Sequence, residues 1–138
     1  MQPPFLTKAQ AIMKLRQQYH FRESEKGLMS WDVLRLIKLT SKLQVKLIPL
    51  AQIQELDEQF WYGLGTRPTC RSVAEHAKLI NEVDLSYPII LCPEGRVMDG
   101  MHRVCRALIE GHDSIKAVQL ETEVEPDYIG VLPDDLPY

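Results

Sequence analysis

The sequence predicts an α+β fold, a compact core with a helical extension in front of it. Three observations carry that prediction. Met101, Val104, Cys105, Leu108 and Ile109 recur with the period of one α-helical apolar stripe. Immediately before them, "YPIILCPEGRVMDG" reads as two short strands joined by a Pro-Glu-Gly turn. Helical and strand-like stretches follow one another in mixed order over 138 residues, a length that suits one hydrophobic core.

From the N-terminus, "TKAQAIMKLRQQYH" over residues 7–20 predicts a helix opened by Thr7 and Gln10 as a capping box, with Ala11, Ile12, Leu15 and Tyr19 on its apolar side. A polar link, "FRESEKG", leads to Ser30, the expected cap of a buried helix carrying Trp31, Leu34, Leu36, Ile37 and Leu39. Residues 1–44 are therefore expected to form a helical extension packed on a domain spanning residues 45–138. The domain opens on a short strand in which Val45, Leu47 and Pro49 alternate with their neighbours, followed by a short helix over residues 50–60. "WYGLGTRPTC" is a loop punctuated by Gly63, Gly65 and Pro68. Ser72 and Glu75 then predict a capping box for a helix to about Asn81, with Val73, Ala77 and Ile80 inward. Strands follow at Ile89–Cys92 and Arg96–Met98, then a helix over Met101–Glu110 stopped by Gly111. "SIKAVQLETEV" alternates as a further strand, and the tail from Pro126 is turn-rich, with Tyr128, Ile129, Val131 and Leu132 as anchors.

Composition narrows the function classes. Sixteen Lys/Arg against nineteen Asp/Glu give a net charge of -3, which argues against a surface built to bind nucleic acid but leaves room for a local anion site. Cys70, Cys92 and Cys105 are odd in number and lack metal-site spacing, so reduced thiols in the cytoplasm are expected. No secretory signal or membrane-length apolar run is read at the sequence level, and no metal site is expected. His20, His76 and His112 show no metal-pair spacing and are expected at the surface or at caps.

The junction Gly100–Arg103 is where chemistry concentrates. A helix start offers unpaired N–H groups and the positive end of the peptide dipoles, and Gly100 permits close approach. Arg103 in the first turn is unfavourable there unless an anion or a carboxylate compensates it. Two arrangements meet that need: a bound phosphate held by His102 and Arg103, or pairing of Arg103 with Asp99 or a distant carboxylate. Trp61 and Tyr62 either stack on a base or serve as core or lid residues.

"VMDGMHRVCRALIEG", following "YPIILCPEGR", resembles the phosphate-binding box of the ParB/sulfiredoxin-like superfamily. "KLIPLAQI", the loop arginine in "GTRPT" and the helix "SVAEHAKLINEV" resemble the family pattern in order and spacing, from about Val45 to Leu120. The resemblance implies a nucleotide site with Gly100, His102 and Arg103 around the phosphates and Arg67 as a second charge. It gives Asp99 the role of orienting His102 or Arg103, or of assisting a metal, and makes Arg106 a secondary candidate. The implied ligands are ATP, ADP or CTP, with Mg2+ as companion ion.

Two departures limit the inherited activity. A sulfiredoxin has its reactive cysteine where this chain has Met101, which supplies no thiolate. A helical DNA-binding domain is not expected in the short acidic stretch Glu121–Tyr138. Three classes remain: a nucleotide-binding domain with phosphotransferase activity, a ParB-like nuclease or DNA-associated protein, and a non-catalytic regulatory module using the N-terminal helices to bind a protein. Glu55, Asp57 and Glu58 are the candidate bases for the first, or simply a solvated helix face.

Overall fold

The computed structural model describes residues 17–63 and 65–138. Among them it is α+β, with three α-helices and seven strands in two sheets. The expected helix over residues 7–20 falls largely outside the described residues, and its last two residues, Tyr19 and His20, lie in a strand. The chain divides into two units: described residues up to Leu39 together with Val124–Tyr138, and Thr40–Glu123. The tail therefore belongs with the front of the chain, not with the domain to which the sequence assigned it. None of the described helices is long and apolar enough to cross a membrane.

The first unit is a small sheet and a helix, where an all-helical extension was expected. Strands β1 (Tyr19–Ser24) and β2 (Gly27–Asp32) form an antiparallel hairpin. The polar residues read as a link occupy its exposed tip. His20 lies opposite Trp31, and the Arg22 guanidinium sits 5.8 Å from the Trp31 ring centre. Asp32, not Ser30, caps the helix α1 (Val33–Thr40): its Oδ1 accepts from Leu34 N–H at 2.9 Å. The last strand, β7 (Tyr128–Ile129), pairs antiparallel with β2. Asp127 accepts from Asp32 N–H and bridges Arg35 at 2.9 Å, while Trp31 Nε1 donates to Val124 O.

The second unit holds the candidate residues. Its sheet runs β3 (Lys46–Pro49), β6 (Ser114–Gln119), β4 (Ile89–Leu91) and β5 (Val97–Asp99) in spatial order. β4 lies parallel to β6, while the other two pairings are antiparallel. Two 3-10 turns, Leu50–Gln52 and Gln54–Asp57, replace the expected helix over residues 50–60. Helix α2 (Cys70–Glu82) starts earlier than expected. Thr69 is its cap and Ser72 the reciprocal partner, with bonds of 3.1 and 2.9 Å.

Helix α3 (Met101–Ile109) ends in a Schellman turn. Gly111 N–H donates to Leu108 O, and His112 N–H to Ala107 O, with Gly111 at φ +80°. Its buried face is Met101, Val104 and Ala107, packed with Ile89, Leu91, Val97, Ile115 and Ala117. The expected stripe is rotated: Leu108 and Ile109 are 55 % and 71 % exposed. The same correction applies to α2, where Val73 and Ala77 face solvent and Ser72, His76 and Ile80 turn inward. Four-residue spacing places those three on one side of the helix.

Helix α3 thus offers a paired test. Met101→Ala should cost about 2–5 kcal/mol by opening a core cavity. Ile109→Ala should stay within about 0.5 kcal/mol. Urea unfolding of the two variants distinguishes this orientation from the one implied by periodicity.

Candidate functional site

Gly100 follows β5 and opens α3 in a left-handed conformation, φ +105°. A Cβ there would lie 2.6 Å from Ile89 Cγ2 and 3.0 Å from Arg103 Nη2. Ile89 is wholly buried and cannot retreat, so glycine is required by packing as well as by φ. No side chain caps this helix end.

Arg103 folds back toward the strands. Its Nη2 pairs with Asp99 Oδ2 at 2.7 Å, and its Nη1 donates to Pro88 O at 2.7 Å and Tyr87 O at 3.0 Å. The side chains of Arg103 and Asp99 are 14 % and 16 % exposed. Of the two arrangements compatible with an arginine at this position, the pairing with Asp99 is the one the structure shows. Asp99 is the partner of Arg103 and is not set against His102. Arg106 is likewise committed: Nη1 donates to Asn81 O and Val83 O at 2.7 and 2.8 Å, and Nε pairs with Glu110. It satisfies carbonyls left open at the end of α2.

The acidic candidates lie elsewhere. Glu55 is 3 % exposed, accepts from Val97 N–H at 2.6 Å and sits 3.4 Å from Arg96 Nε. Glu58 takes the Arg96 fork at 2.6 and 2.9 Å, which holds its carboxyl below the usual range. The solvated face read from these residues applies to Asp57 and Glu58, which are exposed, and fails for Glu55, which is buried.

His102 has the partner that sequence reasoning missed. His76 Nδ1 and His102 Nε2 are 2.8 Å apart across the α2–α3 contact. Trp61 stacks on both imidazoles, with centroid separations of 4.2 Å to His76 and 4.6 Å to His102. Tyr62 meets His76 edge-on and its hydroxyl accepts from Ser72 Oγ–H at 3.3 Å. Trp61 thus stacks on histidines of its own chain, and Tyr62 meets one of them edge-on. The only sequence signal for this cluster was a histidine on the helical face shared by Ser72 and Ile80.

Arg67 is exposed and lines an open pocket of about 560 Å³ with Gln59, Tyr62, Thr66 and Pro68. Tyr62 connects that pocket with the histidine pair. Among the described residues, no group of three or more His, Cys, Asp or Glu side chains is placed to hold a metal ion.

Burial, then the neighbouring His76 and Arg103 charges, hold His102 down at about 4, and burial also lowers His76. A histidine whose folded value lies below its unfolded one binds fewer protons when folded, so its stabilising contribution is full above the unfolded value. For His102 it is lost as pH falls from 6.5 toward about 4. Chemical unfolding across that window should show falling stability in the parent and a shallower slope in His102→Gln.

Comparison with known proteins brings no relative to this arrangement: no family model, curated protein or solved structure matches the chain.

Proposed function

We propose that the chain binds the phosphate groups of a nucleotide or polyphosphate at the start of α3. The observation supporting this is the open helix end at Gly100, which carries no side-chain cap, whereas the Thr69–Ser72 box closes α2. The first-turn N–H groups of α3 have no helical acceptors, and the dipole there favours an anion. His102 belongs to that turn, and Arg67 lines a pocket with Tyr62, whose ring meets His76, the partner of His102. Arg103 and Asp99 act in this proposal as the brace that fixes the turn.

The order of strand, loop arginine, helix, hairpin, helix and strand also supports kinship with the ParB/sulfiredoxin-like superfamily. ATP, ADP and CTP are the ligands to test, with Mg2+ as the ion that would accompany them. The proposal is for binding alone; of the candidate bases, Glu55 and Glu58 are both engaged with Arg96.

Calorimetric titration with pyrophosphate and these nucleotides, with and without Mg2+, is the test. Binding should occur, and Arg67→Ala should weaken it by about tenfold or more, since a hydrogen bond to a charged group contributes about 1.5–3 kcal/mol. Absence of binding by the folded parent to every one of these anions would overturn the proposal.

A further inference from the structure

Two imidazoles from different helices meet end to end in this unit. His76 Nδ1 and His102 Nε2 are 2.8 Å apart and the ring centroids 5.1 Å apart, which is the N···N separation plus the two ring radii. The ring axes therefore point along the contact. That is the geometry of a shared proton, not of two ligands converging on a metal ion. The Trp61 indole lies within 17° of parallel to both rings, so one side chain fastens its segment to α2 and α3 together. Neighbouring Tyr62 adds its contacts to His76 and Ser72.

We infer that His76 and His102 titrate as one unit and form a proton-operated latch, holding the Trp61–Tyr62 segment and the adjoining Arg67-lined pocket in place until a second proton arrives. The inference stands apart from the phosphate proposal. With no extra proton, one imidazole N–H donates to the other ring's lone pair. With one, an imidazolium donates to its neutral neighbour, and the indole face stabilises the cation. With two, both facing nitrogens carry protons, no acceptor remains, and two cations oppose each other at hydrogen-bond distance. The bond is lost and the shared stack on Trp61 with it.

The charges acting on the pair come from its own two helices. Glu75 on α2 favours the charged form of His76, and Arg103 on α3 disfavours that of His102. The Gln54–Asp57 turn and β6 also pack on α3 and bring Glu55, Asp57 and Lys116. Of these, Glu55 is already engaged by Arg96. Half-burial acts in the same direction as Arg103, so the neutral pair is the resting state at neutral pH. A pair this close titrates in two joint steps, and neither step belongs to one ring.

Side-chain nitrogen NMR of the full chain through an acid titration tests the latch, with Trp61 emission followed in a Trp31→Phe background. The His76 and His102 resonances should move together in both steps. Trp61 emission should change on the second step while the amide signals of β4 and β6 persist. His76→Gln should leave His102 with a single step whose midpoint lies about half a pH unit or more above the parent's second step. Independent titration of the two rings in the parent would overturn the inference, a measurement that needs no variant to fold. Loss of the sheet signals together with the Trp61 change would overturn it too, since that is global unfolding. So would a single His102 step in folded His76→Gln at the midpoint of the parent's second step.

Discussion

The second unit turns on one guanidinium. Arg103 binds the carboxylate that ends β5 and two carbonyls on the approach to β4, while its own backbone belongs to the first turn of α3. Strand entry, strand exit and helix start are thereby tied to a single planar cation, whose fork serves several acceptors at once. The neighbouring packing leaves no room for an alternative. Gly100 sits against Ile89 and against Arg103 itself, so a side chain there would drive apart the groups the arginine joins. Asp99 also resolves an electrostatic conflict, supplying the negative charge that a cation needs beside the positive end of a helix.

Two other arginines repeat the pattern. Arg106 takes up the carbonyls at the end of α2, and Arg96 gathers Gln54, Glu55 and Glu58 against the start of β5. Charges that suggest a binding surface in the linear sequence are thus consumed in joining helices to strands. Arg67, on the loop before α2, sits apart from these braces. The chemical character of the α3 end comes instead from His102, whose partner is supplied by α2 and whose cover is supplied by Trp61. A pair of half-buried neutral imidazoles is a softer environment than the fixed positive charge the motif suggests.

Much of the fold between Ile89 and Gly111 is legible in the sequence because its determinants are local. Pro93 to Gly95 make the turn, Gly100 breaks the strand, and Gly111 supplies the left-handed cap, so the observed boundaries fall close to those expected. The front of the chain is not legible for the opposite reason. Trp31 fits a helical stripe, yet it lies in β2, which is set by pairing with β1 and with Tyr128–Ile129 far along the sequence. No local propensity reports a partner at that distance. The orientation of α2 and α3 is hidden similarly, since several apolar stripes were available and contact between helices and sheet selected one. Gly100, His102 and Arg103 are singled out by the motif, but the inward turn of Arg103 and the meeting of His102 with His76 exist only once helices α2 and α3 have packed.

The first unit is assembled from two stretches separated by the whole of Thr40–Glu123. A ribosome releases those stretches in sequence, so the strands from Tyr19 to Asp32 emerge long before β7 exists to complete their sheet. Throughout that interval the Trp31 indole lacks Val124 as an acceptor, and Arg35 lacks Asp127. The intervening unit has its own apolar core and all four of its strands by residue Gln119, so it is equipped to fold first. The order of completion is therefore the reverse of the order of sequence: the sheet begun at Tyr19 is finished only after the unit that follows it.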